Sequence, residues 1–305
     1  MMPVPPGASL VVATKSAPRN QNVELLRIIA AFGIVVFHAQ GEYAPVGYAG
    51  LVIFLFLSPF YDASAWEKQR NLPTLAVRLL LPWAVFLAVH GALNFVTKGW
   101  IVNPDLTPGA AILYGTSPHL WFLPFIFAVM CAVAIWKRLT GPVPQIVIAA
   151  AGLVAMMALV PHWRATGDVA APPVAQWLQA APAVLAGLAL GAATSARKLR
   201  LFAVVAILVA AAIAIWQDAR GISVAYGLAL PLVLLALYSP KVPFSVEALS
   251  SCMMGVYLVH ALALAVVGAF LERTSLFAAV VAFVASAIGV LLARKLVPAT
   301  RYILG

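Results

Sequence analysis

An acid, an arginine and an imidazole stand in one apolar run, from Glu24-Leu-Leu-Arg27 to Phe37-His38. Charge inside a membrane span is costly, so such residues default to functional candidates. Arg27 and His38 are 11 positions apart. That is about three helical turns, so both project from one face, roughly 16 Å apart in height. Glu24, three positions before Arg27, shares that face. One helix thus offers a cation near one membrane surface and a proton-transfer group near the other. Imidazole titrates near neutrality and suits general-base chemistry. Guanidinium suits phosphate through its bidentate fork. Glu24 is also a ready counter-ion for Arg27, and on that reading the pair is structural.

The elements that carry these groups are membrane helices. Of 305 residues, 64% are hydrophobic and 9% charged, with mean hydropathy +1.02. A soluble domain is roughly half apolar and a quarter charged. The fold class expected is all-α, a polytopic membrane bundle with no sizeable aqueous domain. The net charge of +10 reflects loop placement, and nucleic acid is not an expected partner. Cys131 and Cys252 lie in apolar segments and imply no disulfide framework. Residues 1–20 hold four prolines and read as a disordered cytoplasmic tail, and 21–305 read as one membrane domain. About 20 apolar residues make a span. Ten candidates are expected near 22–41, 46–62, 74–96, 119–136, 143–161, 174–194, 200–217, 221–239, 246–270 and 275–294. With the N-terminus inside, 14 lysines and arginines fall on the cytoplasmic side and 4 outside, and Arg27 within the first span completes the 19. That asymmetry places both termini in the cytoplasm and supports an even number of spans.

On this topology His38, His90 and His260 lie in the outer halves of their spans, and His119 opens the fourth span at the outer surface. The fifth histidine, His162, falls in an outer loop. Each has a bland alternative: His90 pairs with Asn94 one turn on, His119 is interfacial beside Trp121, and His260 packs after Tyr257. No HExxH pair and no carboxylate cluster accompanies them, so no metal is expected. On the inner side Arg27, Arg78, Arg70 and Lys68 would face a phosphate-bearing ligand from the cytoplasm. Lys137-Arg138, Arg197-Lys198 and Arg294-Lys295 read as orientation anchors against anionic lipid. No G-x-S-x-G elbow, Walker loop or GxGxxG is present.

The run Glu24 to His38 resembles the opening of the membrane acyltransferase 3 family: an acid, three positions to an arginine, ten residues, then a histidine. Phe54-Leu-Phe-Leu-Ser58 is similar to that family's second-span aromatic run, and Pro118-His119-Leu-Trp121-Phe122 to its His-Leu-Trp-Phe segment. Leu249-Ser-Ser-Cys-Met-Met-Gly255-Val-Tyr257-Leu-Val-His260 is similar to its late Ser-x-x-(Ile/Leu)-Tyr-x-x-His motif. Three departures stand out: Pro59 where glycine is usual, no acid before the aromatic run, and a single Arg78 where many members carry Arg-x-x-Arg.

The resemblance implies transfer of an acyl group, usually acetyl from acetyl-coenzyme A, to a hydroxyl of a polysaccharide or lipid-linked glycan. It implies a multi-pass protein of the bacterial inner membrane in the compact form, without a fused extracytoplasmic domain. His38, with Glu24, would be catalytic, as general base or as a transient acyl carrier. Arg27, Arg78, Ser58 and Arg70 would bind acyl-coenzyme A. His119, Trp121, Tyr257 and His260 would bind the acceptor. The acyl donor, the glycan acceptor and membrane lipids are the partners expected. Two rivals remain: a transporter or flippase of a lipid-linked sugar or acyl group, which would favour inverted repeats, and a non-catalytic anchor for a glycan-synthesis complex.

Overall fold

The computed structural model describes residues 19–169 and 172–305, and the regular elements among them are all helical. Most of the expected tail therefore lies outside the described residues. Its last two positions are tied down: Arg19 pairs with Glu247 at 3.1 Å, and Asn20 donates to the Ala236 carbonyl at 3.3 Å. α1 (Gln21–Ala39) begins where the Asn20 side chain accepts from the Asn22 N–H and ends at Gln40, which takes a left-handed φ of 62°. Both are ordinary helix caps. α2 (Ala44–Gly47) and α3 (Ala49–Ser64) form a second segment, and α4 (Leu72–Lys98) a third, closed by Gly99 at φ 78°. α5 (Pro108–Tyr114) is a short helix in the following loop. Then come α6 (Phe122–Leu139), α7 (Pro142–Ala158), α8 (Val160–Val169), α9 (Val174–Ala192), α10 (Arg200–Trp216), α11 (Ser223–Tyr238), α12 (Glu247–Ser250), α13 (Met253–Val267), α14 (Leu276–Leu296) and α15 (Arg301–Leu304).

Each of the ten expected apolar segments contains a helix. Among the described residues, seven helices are long and apolar enough to cross a membrane, with α2 and α3 taken together. α7 and the start of α8 make an eighth only if joined across a 75° bend. α11 and α13 are apolar but only 16 and 15 residues long. At 1.5 Å per residue they reach about 24 Å, short of the roughly 30 Å hydrocarbon core. Large side chains on the outside are apolar, Val96, Ile135, Leu208 and Leu291 among them, as a lipid-facing surface requires. The chain is a multi-pass helical membrane protein.

Hydrogen bonds between loops sort the helix ends onto two faces. On one face the Asn22 amide donates to Ser239 and Pro240 carbonyls, Thr194 to Ser64, and Arg294 to Ser251. On the other Asn94 donates to Thr116, Gln217 to Met157, and Gln179 to Gly221. Lys137 corrects the reading of its dipeptide as a lipid anchor. It is buried in the last turn of α6, and its Nζ donates to the carbonyls of Asp62, Ala65 and Lys68 at 3.2, 2.9 and 3.1 Å. The C-terminus of α3 leaves carbonyls without intrahelical donors, and a buried lysine satisfies three at once. Its neighbour Arg138 stays exposed and donates to Gln69.

α3 is the central post, packed on α9, α1, α11 and α6. Small residues make the close approaches. A Cβ on Gly50 would overlap the Ala30 carbonyl of α1, and one on Gly187 of α9 would overlap the Phe56 carbonyl of α3. Helices in lipid associate through such close backbone packing. Here it holds the α1 face bearing Arg27 and His38 against α3.

Candidate functional site

His38 occupies the last turn of α1, half-buried, on the wall of a cavity of about 430 Å³. That lies within the range of small-ligand sites, about 300–1,000 Å³. The rim is exposed at Gln40, Pro118 and Arg273. The floor is the buried set His119, Trp121, Phe122 and Tyr257, and Tyr48, Tyr114, Gln176 and Gln179 complete the polar lining. His119 and Trp121 sit in the tight turns just before α6, so the loop after α4 delivers them directly beneath the end of α1. The Tyr257 hydroxyl of α13 donates to the His119 carbonyl, which ties that turn to α13. Burial pushes the Tyr114 phenol above its ordinary range, so it stays neutral and serves as a hydroxyl donor or acceptor.

The four histidines of similar expected depth do converge. Ring centroids are 5.0 Å apart for His38–His260, 6.0 Å for His38–His119, 5.0 Å for His119–His260 and 5.1 Å for His90–His119. Among the described residues, no group of three or more His, Cys, Asp or Glu has the arrangement of metal ligands. The four rings pack edge-on or tilted against one another, and two of them make hydrogen bonds. Nδ1 of His260 lies 2.6 Å from the Tyr257 carbonyl. A carbonyl only accepts, so this nitrogen carries the proton and Nε2 of the neutral ring holds a lone pair. That Nε2 is buried without a partner. The His119 Nδ1 pairs with the Ser117 hydroxyl at 3.0 Å.

Two expectations shift here. His260 is completely buried and absent from the cavity wall, so it meets His38 rather than a ligand. His90 does not pair with Asn94, whose amide donates to Thr116 at 2.8 Å and Ile101 at 3.3 Å. His90 faces His119 instead, and its Nε2 has no partner.

The other end of α1 is built from different chemistry. Glu24 is buried, accepts from the Ser250 hydroxyl, and pairs with Arg27 at 3.4 Å. Arg27 is about a third exposed, and its guanidinium carbon lies 5.9 Å from the centre of the Tyr61 ring. Glu24 stands 14 positions before His38, about 21 Å along the helix. The structure therefore places Glu24 with Arg27 and not with the imidazole. Arg70 is taken by the buried Asp62 at 2.5 Å. Arg78 is exposed near the start of α4, and the Ser58 hydroxyl donates to the Phe54 carbonyl at 2.9 Å. On α3, Leu51, Phe54, Ser58 and Tyr61 lie on one face and are not fully buried. That stripe runs from the cavity wall, which Leu51 lines, to Tyr61 beside Arg27.

Arg273, Gln176, Gln179 and Tyr48 line the cavity and were not singled out from the sequence. Arg273 reads there only as one of four outer-loop cations. The glutamines sit in the first turns of an apolar helix, where no local pattern marks them.

Residues 20–294 match the model of an acyltransferase domain, the acyltransferase 3 family. No curated protein and no solved structure matches the chain.

Proposed function

Because the chain belongs to the acyltransferase 3 family, we propose that it moves an acyl group, acetyl foremost, from cytoplasmic acyl-coenzyme A to a glycan hydroxyl. The acceptor is a polysaccharide or lipid-linked glycan at the outer face of a bacterial inner membrane. In this reading ten segments traverse the bilayer, both termini lie inside, and the α1 end bearing Arg27 faces the cytoplasm. The observation that carries it is the position of His38. It lines a cavity open on the face opposite Arg27, on the same helix and about 16 Å away along the axis.

The chemistry follows from that placement. The coenzyme's phosphates meet the basic face at Arg27 and Arg78, where guanidinium provides charge and paired donors. The acyl-pantetheine arm lies along the half-buried stripe of α3. At the outer cavity an acceptor hydroxyl approaches His38. The imidazole takes the hydroxyl proton as the oxygen attacks the thioester carbonyl. The carbon–sulfur bond breaks, and the proton passes from His38 to the departing thiolate. The products are an O-acyl glycan and free coenzyme A. His260, buried behind the cavity wall, packs against the base and holds it in orientation, while His119, Trp121 and Tyr257 on the cavity floor meet the sugar.

The test is incorporation of labelled acetyl from acetyl-coenzyme A into membrane glycans by the full chain. His38→Ala is expected to lower it about 10²- to 10⁴-fold, the usual worth of a general base, at unchanged protein in the membrane. Full acetylation by that variant overturns the assignment. Label on the protein itself in a single turnover without acceptor indicates an acyl-histidine route in place of direct transfer.

A further inference from the structure

The outer cavity has a polar lining of unusual sign. No aspartate or glutamate contributes to it. Its one side chain of permanent charge is Arg273, exposed in the loop between α13 and α14. Among the described residues Arg273 has no hydrogen bond or ion pair. The acids closest to it in sequence and loop are engaged elsewhere or off the cavity. Glu272 accepts from the Thr274 hydroxyl at 3.0 Å, and Glu42, exposed after α1, does not line it. The remaining polar groups suit sugar hydroxyls: Tyr114, Gln179 and Gln176, whose Oε1 is buried without a donor. A buried acceptor left unsatisfied is costly until something donates to it.

We propose that the acceptor carries an anionic group, a carboxylate or a phosphate, which Arg273 holds while the hydroxyl is presented to His38. The inference rests on the acyl-transfer reading and adds its substrate class. Charge explains why the arginine belongs there. Arg273 and His38 line the same cavity. A cation beside a base opposes the imidazolium that forms as the base takes its proton. An anion docked on the guanidinium cancels that opposition, so the base works best when the correct acceptor is in place. A neutral sugar leaves the arginine uncompensated. Recognition of this kind is strong because the hydrogen bonds are charge-assisted and paired.

The experiment uses proteoliposomes holding the full chain and its endogenous membrane acceptor, with labelled acetyl-coenzyme A. Three soluble glycosides compete for the outer cavity: methyl glucuronoside, methyl glucoside 6-phosphate and methyl glucoside. The expected result is that an anionic glycoside suppresses labelling at a concentration at least about tenfold lower than the neutral one. Which anion does so tells a sugar carboxylate from a phosphate. Arg273→Gln removes that advantage, and Arg273→Lys, which keeps the charge, retains part of it. Equal competition by all three glycosides overturns the inference, and so does an anionic advantage that survives Arg273→Gln. A uniform drop in labelling by Arg273→Gln with unchanged competition also overturns it, and assigns the arginine to the thioester oxyanion instead. Labelling no higher than that of His38→Ala, with every acceptor, brings down the acyl-transfer reading itself.

Discussion

His260 donates its Nδ1 proton to the Tyr257 carbonyl and turns the bare Nε2 into a cluster that includes His38. Its ring centroid stands 5.0 Å from that of His38, so it packs against the base and fixes its orientation. His260→Gln, which fills the space without the basic nitrogen, is expected to lower kcat about tenfold with KM for acetyl-coenzyme A unchanged. The pH–rate profile should move as well, which a packing defect alone would not produce. At the other end of the helix Arg27 pairs with a fully buried carboxylate. Arg27→Ala is expected to raise KM for acetyl-coenzyme A about tenfold or more through the lost phosphate contact. Saturation kinetics on membranes separate the two effects. A raised KM after His260→Gln, or an unchanged one after Arg27→Ala, contradicts the division of labour.

The helices set how far apart these groups stand, and their contacts are tight enough to be tested singly. Gly50 brings α3 against the Ala30 carbonyl of α1. Gly50→Leu has nowhere to put a side chain without separating the helices, and overpacking of this kind costs about 1–3 kcal/mol or more. Lower thermal stability in detergent and lost activity are expected together. Lys137 is a second test. Lys137→Met keeps the buried stem of the side chain but strips donors from three carbonyls at the end of α3. Each unsatisfied group is worth about 1 kcal/mol or more, so melting should drop measurably while KM for the donor changes little. A melting temperature equal to that of the parent protein would show that water replaces the lysine.

At the scale of the whole molecule, a helical bundle keeps two chemistries apart. The face with Arg27, Lys68, Arg70 and Lys137 is basic, and the opposite face carries the cavity. The proposed orientation makes the first cytoplasmic and the second external. Single cysteines placed at Lys198 and at Glu42, in a background lacking Cys131 and Cys252, should be labelled by an impermeant maleimide from opposite sides. Labelling of both from the same side would end the two-compartment mechanism.

Composition alone settles that this chain is a helical membrane protein, because 64% hydrophobic residues with 9% charge cannot leave a soluble surface. The helical spacing of Glu24, Arg27 and His38 is likewise legible, since it depends only on rise and pitch within one segment. The shared depth of His38, His90, His119 and His260 follows from counting along spans. Which of them meet does not. His260 turns inward, His90 abandons Asn94, Lys137 caps a neighbouring helix, and Arg273 comes to the rim of the cavity across hundreds of residues of chain. These are non-local outcomes of how helices rotate and tilt against one another. Rotation is decided by glycines and alanines at helix crossings, whose partners lie on other segments and leave no periodic mark in the sequence.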